Sequence, residues 1–86
     1  MTTFNLYYDP GNAWLEVPKT LIKELGITNK ISSFSYENGE NVYLEEDCDL
    51  ATFAKVYKGK FSVKEIGCPV GDSFVRYYKH FEGGAA

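Results

Sequence analysis

The chain is expected to fold as an α+β domain, an antiparallel β-sheet of five to six strands with two short helices on one face. Three observations lead there. Short period-two segments alternate with turn chemistry, two segments carry helical spacing with a glycine at their ends, and the order reads β-β-α-β-β-α-β-β. Hairpins interrupted by short helices pack most simply as a sheet with the helices segregated to one side.

The first hairpin is carried by residues 4–9 and 13–17, both alternating and aromatic-rich, joined by Asp9-Pro10-Gly11-Asn12. Pro presets φ, Gly admits positive φ, and Asp and Asn can bond their own backbone. Pro18 then opens a short helix over residues 18–25, with Leu21, Ile22 and Leu25 on one stripe and Gly26 closing it. Residues 31–37 and 40–45 alternate around Asn38-Gly39, the pair that favours a tight I′ turn, with Phe34 and Tyr36 placed to meet Tyr43 across the strands. Leu50, Phe53, Ala54 and Tyr57 recur at helical spacing after Asp47 and Asp49, so a second helix runs over residues 50–58 and stops at Gly59. Residues 61–66 read as a strand. Residues 73–81 fit either period, and their aromatic and β-branched content tips them to strand. Residues 1–82 make a single compact domain and residues 83–86 a frayed tail.

Composition limits the function. Eighty-six residues hold one core, and 44% hydrophobic with 24% charged residues is ordinary globular usage. No apolar run approaches the roughly 20 residues of a membrane span, and no signal-like segment opens the chain. Cys48 and Cys68 stand outside any Cys-x-x-Cys spacing, which favours two free thiols and a cytoplasmic setting.

Charge is divided unevenly. Residues 1–50 hold three cations against nine acids, whereas residues 51–86 hold six against three. Glu37, Glu40, Glu45, Glu46, Asp47 and Asp49 form a run with no Lys or Arg among them. This run is the candidate partner-binding patch, since complementary charge speeds encounter and sets register; an ordinary solvated hairpin is the competing reading. In the C-terminal half, Lys55, Lys58, Lys60, Lys64, Arg76 and Lys79 are interleaved with Tyr57, Phe61, Tyr77 and Tyr78, a mixture used on single-stranded nucleic acid. The net charge of −3 weighs against direct nucleic-acid binding.

Catalytic patterns are missing. Cys48, Cys68 and His80, with Asp47 or Asp49, match no compact zinc spacing, and the acidic run lacks the ligand pattern of a calcium loop. There is no Gly-x-Ser-x-Gly elbow, phosphate cradle or dinucleotide fingerprint. The expectation is a protein that is not an enzyme, with no catalytic residue, no metal and no cofactor.

The stretches Tyr8-Asp9-Pro10-Gly11-Asn12-Ala13-Trp14-Leu15-Glu16-Val17-Pro18, Ile31-Ser32-Ser33-Phe34-Ser35-Tyr36 and Val42-Tyr43-Leu44-Glu45-Glu46-Asp47-Cys48-Asp49 resemble a family of small uncharacterised proteins carried by tailed phages and plasmids. The resemblance covers most of residues 4–81 and brings no assigned activity. Family members often carry His where this chain has Asn12, so no ligand or catalytic role is transferred to that position. The resemblance implies an accessory protein of a mobile element that binds and disables a host protein, such as a component of a nucleic-acid-binding defence complex, in the host cytoplasm.

The leading expectation is therefore a non-enzymatic inhibitor acting through the acidic run and an aromatic sheet face. The alternative is a small-ligand or nucleotide-binding protein with a pocket built by Trp14, the Pro10-Gly11 turn, Arg76 and Lys79. A homodimer through an edge strand or an aromatic face is compatible with either.

Overall fold

A computed structural model describes residues 1–68 and 71–82. The elements are β1 (Thr2–Tyr8), β2 (Ala13–Pro18), α1 (Lys19–Glu24), β3 (Tyr36–Asn38), β4 (Asn41–Glu45), α2 (Asp49–Val56), β5 (Phe61–Gly67) and β6 (Lys79–His80). Short 3-10 turns occupy Thr28–Lys30 and Phe74–Tyr77. The fold is α+β, as the sequence predicts. The frayed tail expected at residues 83–86, and Pro69 and Val70 of the expected loop, lie outside the described residues.

The alternation in β2 and β4 produces two layers. Leu15 pairs with Leu44 and Val17 with Val42, and these side chains form one core with Phe4, Ile22 of α1 and Phe53 of α2. Burying each such side chain contributes about 1.5–3 kcal/mol, which is what holds a six-residue helix that would not persist in water alone. Both helices cover this one face. The intervening residues, Trp14 and Tyr43, belong to a second cluster with Val75 on the opposite face.

Several local expectations are corrected. The sheet is mixed rather than wholly antiparallel: in the order β5-β1-β2-β4-β3-β6, β5 lies parallel to β1 from Thr2↔Phe61 to Tyr8↔Gly67. Periodicity carries no strand direction, and α2 returns the chain to the far edge of the sheet. The second hairpin turns at Gly39-Glu40, with Asn38 opposite Asn41 and positive φ at Gly39 alone, a II′-type geometry rather than I′. A turn centred on Asn38-Gly39 would set Glu37 directly against Glu40, and like charges in opposed positions are unfavourable. The actual register gives Glu37↔Val42 and Tyr36↔Tyr43.

Residues 31–35 are not strand. Asp49 accepts the Ser32 N–H (3.0 Å) and the hydroxyls of Ser32 (2.7 Å) and Ser35 (2.6 Å), which ties the segment to the start of α2. Pro18 is the last residue of β2 and, in extended conformation, the N-cap of α1 rather than part of its first turn, and Ala54 is exposed instead of joining the apolar stripe of α2. Residues 73–81 are a 3-10 turn followed by the two-residue β6, with Ser73 Oγ accepting the Val75 N–H. Among the described residues no helix is long and apolar enough to cross a membrane.

Candidate functional site

The second sheet face is aromatic because the register makes it so. Tyr7 stands beside Trp14 and Tyr36 beside Tyr43, all side chains of alternate strand positions. This face is not the open aromatic surface expected from the sequence. The segment through Phe74–Tyr77 lies across it, leaving Trp14 1% exposed and Tyr43 buried, with Val75 packed between. Tyr43 also donates its hydroxyl to Glu16 at 2.8 Å, and burial with that carboxylate raises the phenol well above its ordinary range.

A clasp fixes the covering segment. The Asp9 carboxylate accepts the Gly11 and Asn12 N–H groups of its own turn (2.9 and 3.0 Å) and the Ser73 N–H (2.8 Å). It also receives Arg76 in a bidentate fork, Nε at 2.6 Å and Nη2 at 2.9 Å. The Arg76 hydrogen bond, helped by the three backbone donors, outweighs burial and holds the Asp9 carboxyl well below the usual carboxylate range. Gly11 leaves room for this arrangement, because a Cβ there would lie 2.7 Å from Arg76 Nη2 and the guanidinium would have to shift. The guanidinium carbon then sits 5.0 Å from the Trp14 ring centroid, a cation–π contact.

Beside this clasp opens a cleft of about 390 Å³ lined by Asn12, Trp14, Phe34, Tyr36, Glu45, Asp47, Cys48, Arg76 and His80. His80 stacks on Tyr36 at 4.7 Å and its Nδ1 shares a 2.7 Å hydrogen bond with the Ser33 carbonyl. Phe34 is 66% exposed at the rim and makes none of the ring contacts among the described residues. Glu45 is 5% exposed and its Oε2 accepts the Asp47 N–H at 3.0 Å. Neither Glu45 nor Asp47 belongs to any ion pair among the described residues. The Cys48 thiol is pushed up by desolvation and then by Glu45, Asp47 and Asp49. Trp14 Nε1 is buried with no hydrogen-bond partner among the described residues.

The six carboxylates of the acidic run do not form one surface. Asp49 is buried in the serine network, and Glu37 is bound by Lys19 at 2.7 Å and by the Glu82 N–H at 2.9 Å. Those contacts hold the Glu37 carboxyl below its ordinary value, the Lys19 hydrogen bond contributing most. Glu40 is exposed at the hairpin turn, at the opposite end of β4 from Glu46 and Asp47. Glu45 and Asp47 alone of the run enter the cleft. Of the three predicted ligand residues, Trp14 and Arg76 meet there, whereas Lys79 lies by Tyr77 and Tyr78 and pairs with Glu82 at 3.6 Å. The basic cluster is likewise dispersed: Lys64 is on β5 and Lys79 on β6, the two outer strands of the sheet. Six strands at about 4.8 Å spacing put those two strands about 24 Å apart.

Sequence reasoning did not find Asp9, Phe34, Tyr36, Cys48 or His80 as parts of a site. Asp9 carried a local signal as the head of an Asx-type turn, but its partner stands 67 positions along the chain. Among the described residues no group of His, Cys, Asp and Glu gathers that could hold a metal ion. Comparison with protein-family profiles, curated proteins and solved structures finds no match to this chain.

Proposed function

We propose that this chain is a non-enzymatic binding protein, an accessory factor of a mobile element that docks on a host protein and blocks it. The Trp14 cleft is the recognition element and receives a side chain of the partner. The observation that carries this reading is Phe34, a large apolar side chain 66% exposed at the rim of a cleft whose two carboxylates make no ion pair among the described residues. Exposed aromatic anchors beside uncompensated charge are what protein interfaces use for affinity and register. Two facts support a role without catalysis. His80 is already engaged by the Ser33 carbonyl, and the Cys48 thiol is pushed away from the thiolate form that a nucleophile needs.

The test is capture from host lysate by the tagged protein, compared with a Phe34→Ala/Asp47→Lys variant that melts like the parent. A host protein retained in stoichiometric amount by the parent, and lost by the variant, is the expected result. Equal retention by both, or none by either, overturns the reading.

One observation favours a second reading, a small-ligand site. The cleft has a volume within the usual range of ligand pockets and an aromatic lining, which suit a planar molecule. Thermal shifts across a panel of nucleosides and nucleotides test it. A saturable shift supports it, and a flat panel counts against it.

A further inference from the structure

We infer that the occupant of the cleft is a guanidinium group, the arginine side chain of a protein partner; this rests on the binding reading above. The charges inside the cleft point that way. Arg76 is its only Lys or Arg among the lining residues, and its charge is spent in the bidentate pair with Asp9. Glu45 and Asp47 are left as the net charge of the site. Glu45 matters most, because the residue is 5% exposed and its carboxylate, which accepts the Asp47 N–H, belongs to no ion pair among the described residues. An anionic occupant such as a phosphate meets two carboxylates and no free cation, and is disfavoured.

The walls select the shape of the cation. Phe34 offers an exposed ring beside the stacked pair of Tyr36 and His80, and a guanidinium is planar, weakly hydrated and able to stack on a ring while forking onto carboxylates. An ammonium is a compact, strongly hydrated point charge that uses only part of this surface. The fold supplies its own precedent one ring away, where Arg76 lies over Trp14 while forking onto Asp9. The inferred site repeats that combination with Phe34 as the ring and Glu45 and Asp47 as the acids.

Trp14 is the single tryptophan of the chain and lines the cleft, so its fluorescence reports occupancy. The full chain is titrated with N-acetyl-arginine amide, N-acetyl-lysine amide and N-acetyl-citrulline amide, the last being the neutral isostere. The expected result is a saturable change with arginine at about millimolar half-saturation, weaker with lysine, and none with citrulline. Asp47→Asn, at an exposed position, should weaken the arginine response about threefold or more, and Glu45→Gln should do so further. If Glu45→Gln does not fold, Asp47→Asn and the citrulline comparison decide. Equal responses to arginine and citrulline, no response to arginine, or an Asp47→Asn protein that responds as the parent does, each overturn the inference. A host protein captured as above with no arginine response overturns the guanidinium alone. An arginine response with no protein captured overturns the protein partner and leaves a small cationic ligand.

Discussion

Removing the Asp9 carboxylate should open the second face of the sheet before it unfolds the core. Asp9→Ala deletes five accepted hydrogen bonds, two from Arg76 and one each from the Gly11, Asn12 and Ser73 N–H groups. Breaking a buried pair by removing one partner typically costs about 3–5 kcal/mol. Arg76 is 32% exposed and can rehydrate, as can the turn N–H groups, so the lower end of about 3 kcal/mol applies here. A chain of this length is held by about 4–13 kcal/mol in all, so the loss is a large fraction. It corresponds to a fall in Tm of roughly 12–24 °C. Urea melts followed by Trp14 fluorescence and, separately, by far-ultraviolet circular dichroism are the assay. The tryptophan signal should move first, because the clasp holds the segment that covers Trp14.

Acid titration gives an independent check with a definite sign. The Asp9 carboxyl lies below its ordinary value in the folded chain, so the unfolded chain binds more protons in acid. The Asp9 contribution is therefore complete above about pH 4–5, and is lost as pH falls below the ordinary carboxylate range. The stability difference between parent and Asp9→Ala should be constant from pH 5 to 7 and shrink towards pH 2. A loss below about 1 kcal/mol, or a difference that does not shrink in acid, refutes the reasoning.

Two further predictions follow from the same geometry. Gly11→Ala should cost about 1–2 kcal/mol, because the new methyl group meets Arg76 Nη2, and the cost should vanish in an Arg76→Ala background; a thermal-melt cycle that shows no coupling contradicts this. In a Cys68→Ser chain, Cys48 should alkylate more slowly at pH 8 than a free cysteine peptide despite its exposure, and Glu45→Gln should speed it; equal rates would mean that the carboxylates do not govern the thiol.

Much of the fold was legible because its signals are local. The turn residues at Asp9–Asn12, the stripe of Leu50 and Phe53, and the alternation of Leu15 and Val17 each specify their own element within a few positions. What escaped was non-local. No pattern in residues 61–66 shows that β5 runs parallel to β1, and nothing in residues 31–35 shows that two serine hydroxyls would serve Asp49 rather than a strand ladder. The acidic run misled for the same reason. A sequence displays charge without burial, and Glu37, Glu45 and Asp49 are drawn inward by Lys19, by the Asp47 and Glu82 N–H groups and by the serines. Residues 73–81 carried two periods because they are neither element throughout: Val75 packs on the sheet, Tyr77 faces solvent, and only Lys79–His80 pairs with β3. The candidate site was half visible. Trp14 and Arg76 stood out by residue type, but their meeting depends on Asp9, which reads from sequence as nothing more than a turn.

The most direct test of the Trp14 cleft as the proposed recognition element is a hydrogen-exchange footprint of the chain in complex with a protein retained in the capture experiment. Added protection confined to the segments around Phe34, Glu45 to Cys48 and Arg76 to His80 is the predicted result. Protection along the free edge of β5, with those segments unchanged, would contradict it.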